Sequence, residues 1–493
     1  MNYLDKVIGW LSPEKAVRRM LARDMLARQY AAAKTTRLTG SWSPVSSSVN
    51  EIIGQSHAAV RNRVRQLVRD FPYFQRAVNV MCDYTVGSGI RFQSRVKGRD
   101  TRHDPALIQK IEDAFARWSD EADAAGRLSY YEMMNLAKRQ DIEQGEFFLV
   151  RTYLNDKKRF LPLAYQMYET DWLSDINAKA SNPNHWIDQG VEFNMLTGQV
   201  MAYHLNTASF TDNRMAPVGT STRIPADRVI HGFQTLRPMQ LRGISPFASA
   251  VLVANDLSAY MDAEIDAAKL AAKYLAFVKT NDAYGRQMGL STDDNGKPIE
   301  NLENAIIEYL RPGEEIQLAT NPKPGNNFPP FVRLVLCMIS VATGVPYELL
   351  SGDNTGLNFS TAKIIRTDFA TNLKPIIDRH IRQFCRPTAW EFLDAAVLSG
   401  KLDLPGYMQN PWPYRDIVWQ PPGMQPVDPL REVKASIEEM TAGLRSPQEI
   451  AQARGRDLEE IYKEIDAAKK LSAEMGLSFN APSTALANNP AAI

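Results

Sequence analysis

The stretch that decides the fold reads RIPADRVIHGFQTLRPMQLRGISPFASAVLVANDLSAYMDA over residues 223–263, and it is completed by GVPYELLSGDNTGLNFSTAK over residues 344–363. The run RVIHGF has the short apolar pattern of a strand. Gly243-Ile244-Ser245-Pro246 then starts a helix, with Ser at the cap and Pro at the first helical position, where its missing N–H costs nothing. Residues 246–279 continue Ala-rich, with no Gly or Pro after the opening Pro. Unbroken, this helix spans roughly 50 Å at about 1.5 Å per residue. That length suits a strut better than a core helix. In the second junction, Thr343-Gly344-Val345-Pro346 ends a helix over Phe331–Ala342 that is apolar nearly all round, so burial on several faces is expected. Ser360-Thr361 caps the next long helix, with Ile364, Ile365, Phe369 and Ile376 as core candidates and Pro375 as a kink.

Between the two long helices lies a different module, residues 280–330, with a polar loop around Asp293-Asp294-Asn295-Gly296, a short helix near Glu303–Tyr309 and a strand candidate EEIQLA. It is an insertion carried between two helices. Upstream, Glu146–His231 contains the runs FFLVRTYL, LPLAYQMY, VEF, QVMAYHL and RVIHGF, and Asn194–Gly198 makes a turn between two of them, so this section is β-rich. An amphipathic helix follows Ser12-Pro13-Glu14, with Val17, Met20, Leu21 and Met25 opposite Arg18, Arg19 and Arg23. Val60–Arg69 is another basic helix that stops before Phe71-Pro72. Beyond NPWPYRDIVWQPPG the chain is helical again, with capping patterns at Ser446–Glu449 and Asp457–Glu460 separated by Gly455, and residues 480–493 have a disordered composition.

The 493 residues suffice for several domains and sizeable cores. Cys82, Cys337 and Cys385 are far apart with no CxxC pair, which argues against a disulfide framework or a zinc knuckle. No apolar run suits a signal peptide or approaches the roughly twenty residues of a membrane span, so no membrane insertion is expected. Formal charge is only +1, yet residues 1–76 carry 13 Lys and Arg against 5 Asp and Glu. Such asymmetry marks either a nucleic-acid or acidic-partner surface or a solvated helical face.

Catalytic patterns are missing. Gly289–Pro298 resembles a phosphate-binding loop but has the wrong spacing, and Pro stands where the magnesium-binding hydroxyl belongs. Gly87-Ser88-Gly89 lacks the spacing of a nucleophile elbow and reads as a turn. Asp262 and Asp266 share a helical face and could in principle hold a metal, but Lys269 offers Asp266 a surface ion pair instead. The six histidines show no metal-ligand spacing, and His231 reads as a satisfied structural residue. No catalytic residue, metal or cofactor is expected.

The order of the two opening segments, together with RQYAAAKTTR, RNRVRQLVRDFPYFQRAV, VGSGIRFQS, GVEFNMLTGQVMAYHL and DPLREVKASIEEMTAGLRSPQEIAQARGRDLEEI, resembles the lambda-type portal proteins of tailed bacteriophages. The resemblance runs from about Tyr30 to Gly476, with one departure: Met239 stands in RPMQLRG where the family leads one to expect Gly. It implies an α+β portal fold with a β-rich wing, long stem helices, a small α/β clip and a helical crown, assembled as a dodecameric ring. The implied division is 1–245 for the N-terminal region and wing, 246–279 for a stem helix, 280–330 for the clip and 331–345 for the second stem helix. A tunnel-loop region over 346–362 follows, then a wing-returning helix and connector over 363–427, the crown over 428–479 and a tail over 480–493.

The implied function is a channel at one capsid vertex through which a terminase packages double-stranded DNA, and through which the DNA is later ejected. Implied partners are other copies of the chain, DNA bound without sequence preference, the terminase large subunit, the major capsid or scaffold protein, and a neck adaptor. The protein would be made in the host cytoplasm and reside in the virion. Competing readings are a terminase-like DNA-processing enzyme and a scaffold ring that never surrounds DNA. Phe331, Leu334, Leu336 and Ile339 are the subunit-interface candidates, and Asp293 and Asp294 the terminase or neck contacts. A DNA channel must not hold any one register tightly, so short polar side chains and a few phosphate contacts suffice. Asn354, Thr355, Asn358 and Lys363 are the candidates for that role, or else merely cap the following helix.

Overall fold

The computed structural model describes residues 46–97, 104–206, 221–273, 276–280, 314–318, 327–423, 429–456 and 458–475. Contacts divide the chain into Met1–Ile52 and Ile53–Ile493; the described part of the first is a short lead-in and a helix start. The expected helix after Ser12, the loop at 289–298, the helix near Glu303, the Asp457 cap and the tail lie outside the described residues.

Helices α1 (Val49–Asp70) and α2 (Pro72–Thr85) break at Phe71, whose extended backbone is what a following proline demands. Strand β1 (Arg91–Ser94) follows the turn at Gly87–Gly89, and α3 (Pro105–Ser119) starts on Asp104, whose carboxylate accepts from the amides of Ala106 and Leu107. A Ser129/Glu132 capping box opens α4 (Tyr130–Glu143). The β-rich section forms two antiparallel sheets. One has the order β3-β2-β9, from β2 (Glu146–Tyr153), β3 (Leu163–Tyr168) and β9 (Val229–Phe233). The other runs in chain order through β4 (Ala178–Lys179), β5 (His185–Asp188), β6 (Val191–Asn194), β7 (Val200–Asn206) and β8 (Ser221–Pro225). The expected strands and the 194–198 turn are all present.

After β9 come α5 (Val251–Lys273), β10 (Ala276–Thr280), β11 (Glu314–Leu318) and α6 (Phe328–Thr343). They lead into α7 (Tyr347–Ser351), α8 (Phe359–His380), a π-helical turn (Ile381–Cys385) and α9 (Arg386–Leu398). Strand β12 (Ile417–Gln420) returns to pair with β1, and α10 (Pro429–Thr441), α11 (Pro447–Ala453) and α12 (Leu458–Glu474) follow.

Three cores hold these elements. Phe115, Trp118, Tyr130, Phe384 and Phe392 join α3, α4 and α9 beneath the smaller sheet. Phe148, Val191, Tyr203 and Leu241 fill the space between the sheets. Val64, Phe74, Phe247, Leu257, Leu336, Ile339 and Phe369 bind α1 and α2 to the body-side ends of α5 and α6 and to α8.

Four expectations need correction. The helix expected over 246–279 begins with a 3-10 turn at Ala248–Ala250, becomes α-helical at Val251 and stops at Lys273. Residues 276–280 are a strand instead, because pairing with Glu314–Leu318 overrides local helix propensity. Helix α6 starts three residues before Phe331, with Pro329 and Pro330 in its first turn, and it is buried along one face only. Asn358 caps α8, rather than Ser360-Thr361: its extended backbone aims Oδ1 at the Thr361 amide, 2.8 Å away. Ile364 is 61% exposed while Phe369 is buried, so the apolar face of α8 begins later than its composition suggests.

Candidate functional site

The quoted stretch Leu241–Ser245 is fixed by a buried polar hub. The Glu146 carboxylate accepts from Arg242 Nη2 at 2.6 Å and Nε at 2.8 Å, from the Gly243 amide at 2.7 Å and from His231 Nε2 at 3.1 Å. Arg242 also donates to the Gln189 carbonyl, and Ser245 Oγ to that of Ile142. Burial alone would raise the Glu146 carboxyl, but Arg242 and the His231 hydrogen bond outweigh it and hold the group well below the usual carboxylate range. Burial pushes His231 the other way, below its ordinary value, so the ring is neutral near pH 7. It then has one donor for Glu146 and one acceptor for the Tyr203 hydroxyl, 3.2 Å away. The expected structural role of His231 is what the geometry gives.

Backbone approach explains the glycines here. A Cβ on Gly243 would lie 2.1 Å from the Gly145 carbonyl oxygen, and Gly145 itself has φ of +90°. Met239, five residues after Gln234, sits at φ +63°, a conformation that glycine adopts without strain. That is the physical reason glycine is expected at this position. The Met239 thioether lies over Gly198, where any Cβ would come within 2.7 Å of it.

From this anchor α5 leaves the body and α6 returns to it. Val251, Ala254 and Leu257 are buried at the body end of α5, and no residue from Ser258 to Lys269 is. Tyr260 meets Phe331 edge to face with centroids 5.0 Å apart, and β10 and β11 pair antiparallel at the far ends of the helices. Along α6, Leu336, Ile339 and Thr343 face the core. Phe331, Leu334, Met338 and Val341, at spacings of three and four, are 45%, 60%, 51% and 85% exposed. The four interface candidates therefore divide: Leu336 and Ile339 are buried within the chain, while Phe331 and Leu334 belong to an apolar stripe left open.

The loop after α7 is locally tied. Asp353 Oδ1 accepts from the Thr355 amide at 3.0 Å and also from its hydroxyl, and these bonds hold the carboxyl below its ordinary value. Gly352 and Gly356, at φ +73° and +78°, make the turns, and Asn358 closes the loop as the helix cap. Arg333 of α6 lies over the Tyr347 ring, 5.4 Å from its centroid, so loop and helix pair share an anchor. Asn354, Thr355, Asn358 and Lys363 are all exposed and lie within one ten-residue segment. Asp293 and Asp294 lie outside the described residues.

Asp266 pairs with Lys269 at 3.0 Å, as expected, and among the described residues no group of three or more His, Cys, Asp or Glu could hold a metal ion. No helix among them is long and apolar enough to cross a membrane. The Glu146–Arg242 hub escaped sequence reading because its partners are 96 residues apart. A Glu opening the apolar run EFFLV was the only local signal of it.

A family model described as phage portal protein, lambda family, matches residues 35–375. The chain is 29% identical over 457 residues to a probable portal protein of Halomonas phage phiHAP-1, covering 89% of this chain and 86% of the relative. It is 22% identical over 462 residues to portal protein B of Escherichia phage lambda, covering 86% and 85%. Among solved structures, a chain from the neck of an empty GTA particle matches with a TM-score of 0.47 and 15% identity, covering 85% of this chain and 97% of that one.

Proposed function

Because the chain belongs to the lambda family of phage portal proteins, we propose that twelve copies close into a ring at one capsid vertex, through which terminase packages double-stranded DNA and the DNA is later ejected. Helices α5 and α6 are the stem and residues 280–330 the clip. The β-rich body is the wing, residues after 428 form the crown, and residues 351–361 are the tunnel loop. Asp293 and Asp294 in the clip meet the terminase or the neck adaptor, while the wing faces capsid or scaffold protein.

The observation that carries this reading is the open stripe Phe331, Leu334, Met338 and Val341 on a helix whose other face is already buried. Four large apolar side chains in register on a projecting helix call for a neighbour, and in a closed ring each copy supplies one. The exposed polar loop then turns into the channel. Its exposed candidates Asn354, Thr355 and Asn358 are short and uncharged, Asp353 is tied up by Thr355, and the one lysine, Lys363, follows in α8, so no step of the moving duplex is held more tightly than the next.

The test is a ring carrying Asn354→Asp and Asn358→Asp in every subunit. Aspartate caps a helix as well as asparagine does, so α8 should start as before and assembly should be unchanged. The new negative charges should impair DNA packaging or retention, with the effect shrinking as salt rises. Full packaging and retention at low salt, in particles shown to contain the variant rings, would place the loop away from the DNA.

A further inference from the structure

The C-terminal helices meet the body at a tight joint. A Cβ on Gly423 would come within 2.4 Å of the Arg454 carbonyl carbon, and one on Gly455, at φ +71°, within 2.9 Å of the Gly423 nitrogen. Next to this joint is an open cleft of about 710 Å³, walled by β1 and α3 on the body side and by Gln448 of α11 and Lys463 of α12 on the other. Its size is that of a small-molecule site.

Its chemistry is unbalanced toward donors. Arg91, Arg95 and Lys463 line it, and none forms an ion pair among the described residues. Lys463 reaches only the Gln109 amide oxygen, at 3.4 Å. Among the described lining residues the one acid is Glu112, which accepts the Ser94 amide at 3.0 Å. Ser94 also lines the cleft and is 2% exposed, yet its hydroxyl has no partner. That hydroxyl oxygen has almost no accessible surface, so the cationic donors a bound molecule can reach are those of Arg91, Arg95 and Lys463.

We propose that this cleft binds a phosphate-class anion, which bridges the body and the C-terminal helices. Two guanidinium forks and an ammonium offer more donors than the two oxygens of a carboxylate can use, and they match the several oxygens of a phosphate. The phosphate belongs either to a free phosphorylated small molecule or to a nucleic-acid backbone. Because Gln448 and Lys463 come from one side and Arg91 and Arg95 from the other, an occupied cleft fastens α11 and α12 to the body.

The experiment titrates the full-length protein calorimetrically with pyrophosphate and, separately, with a short single-stranded oligothymidylate. Saturable binding of either is expected. Pyrophosphate binding alone identifies a free anion as the source, and tighter oligonucleotide binding identifies a nucleic-acid backbone. The double variant Arg91→Gln, Arg95→Gln should weaken binding by about tenfold or more. Lys463→Gln should weaken it too, and should abolish the slowing of hydrogen exchange that the bound probe causes across Pro447–Glu474. Failure of both probes to saturate the wild-type protein would overturn the proposal, as would undiminished binding to a folded double variant.

Discussion

Leu334→Asp and Leu336→Asp, two residues apart on α6, should fail in different ways. Leu336 is 3% exposed and packs in the core with Val64, Phe74 and Phe369. Removing such a leucine costs about 2–5 kcal/mol, and the buried, unpaired carboxylate adds several more. Against a typical stability of about 5–15 kcal/mol, the variant should lose its native fold at 37 °C. Leu334 is 60% exposed in the single chain, so Asp there should change subunit stability by only about 0.5 kcal/mol. In the ring, however, each neighbour loses the burial of a leucine, about 1.5–3 kcal/mol, and gains a desolvated charge. About 3–5 kcal/mol per interface is a factor of about 10²–10⁴ in each association step. Circular dichroism melting should report a folded Leu334→Asp subunit, and light scattering coupled to size exclusion should report no rings. Folded, normally assembled Leu334→Asp would refute the claim that the stripe faces a neighbour. A cooperatively folded Leu336→Asp would refute its assignment to the core.

Met239→Gly should leave stability within about 1 kcal/mol of the parent, because relief of the left-handed backbone offsets the added freedom of the unfolded chain. Met239→Val puts a branched Cβ at φ +63° and should lose about 1–2 kcal/mol; equal denaturant midpoints for the two would contradict this. A further expectation concerns acid. Burial lowers His380 to about 3, so between its unfolded value near 6.5 and that figure only the unfolded chain takes up the proton. Stability should therefore fall by up to about 1.4 kcal/mol per pH unit below about 6.5 from this residue, and His380→Phe, whose ring keeps the stack on Phe384, should flatten that slope. The Arg223 hydrogen bond lowers Glu192 to about 2, so its contribution is intact above about 4.5 and is lost only as pH falls toward 2. An unchanged slope between pH 6.5 and 5 in His380→Phe would acquit that histidine.

Local pattern made some of this legible and distance concealed the rest. Strands β2, β3, β6, β7 and β9 are readable because each is a short apolar run, and the Asn194–Gly198 turn sits between two of them; β4, β5 and β8 are short and carry polar residues, so no apolar run marks them. The end of α5 was not, because the strand at Ala276–Thr280 exists only by pairing with a partner nearly forty residues later. The cap of α8 has two candidates in the sequence, Ser360-Thr361 and Asn358, because Ser-Thr and Asn are equally good capping chemistry; only the extended backbone at Asn358 separates them, and it is Asn358 that caps. In α6, composition showed that every face is apolar but not which face the chain itself would cover. The division between Leu336 and Leu334 is set by α1, α2 and α8, which are distant in sequence. Likewise, Arg242 looks like any surface arginine until Glu146 is found beside it.

Cryo-electron microscopy of the purified protein decides whether this chain closes, as proposed, into a ring around a DNA-sized hole. Closed rings are expected, twelve subunits in the assembled particle, with α6 stripes buried between neighbours and residues 351–361 facing a central hole wide enough for duplex DNA. Open oligomers or monomers at high protein concentration, or rings whose hole is too narrow for a duplex or is lined by the wing instead, would contradict the proposed ring.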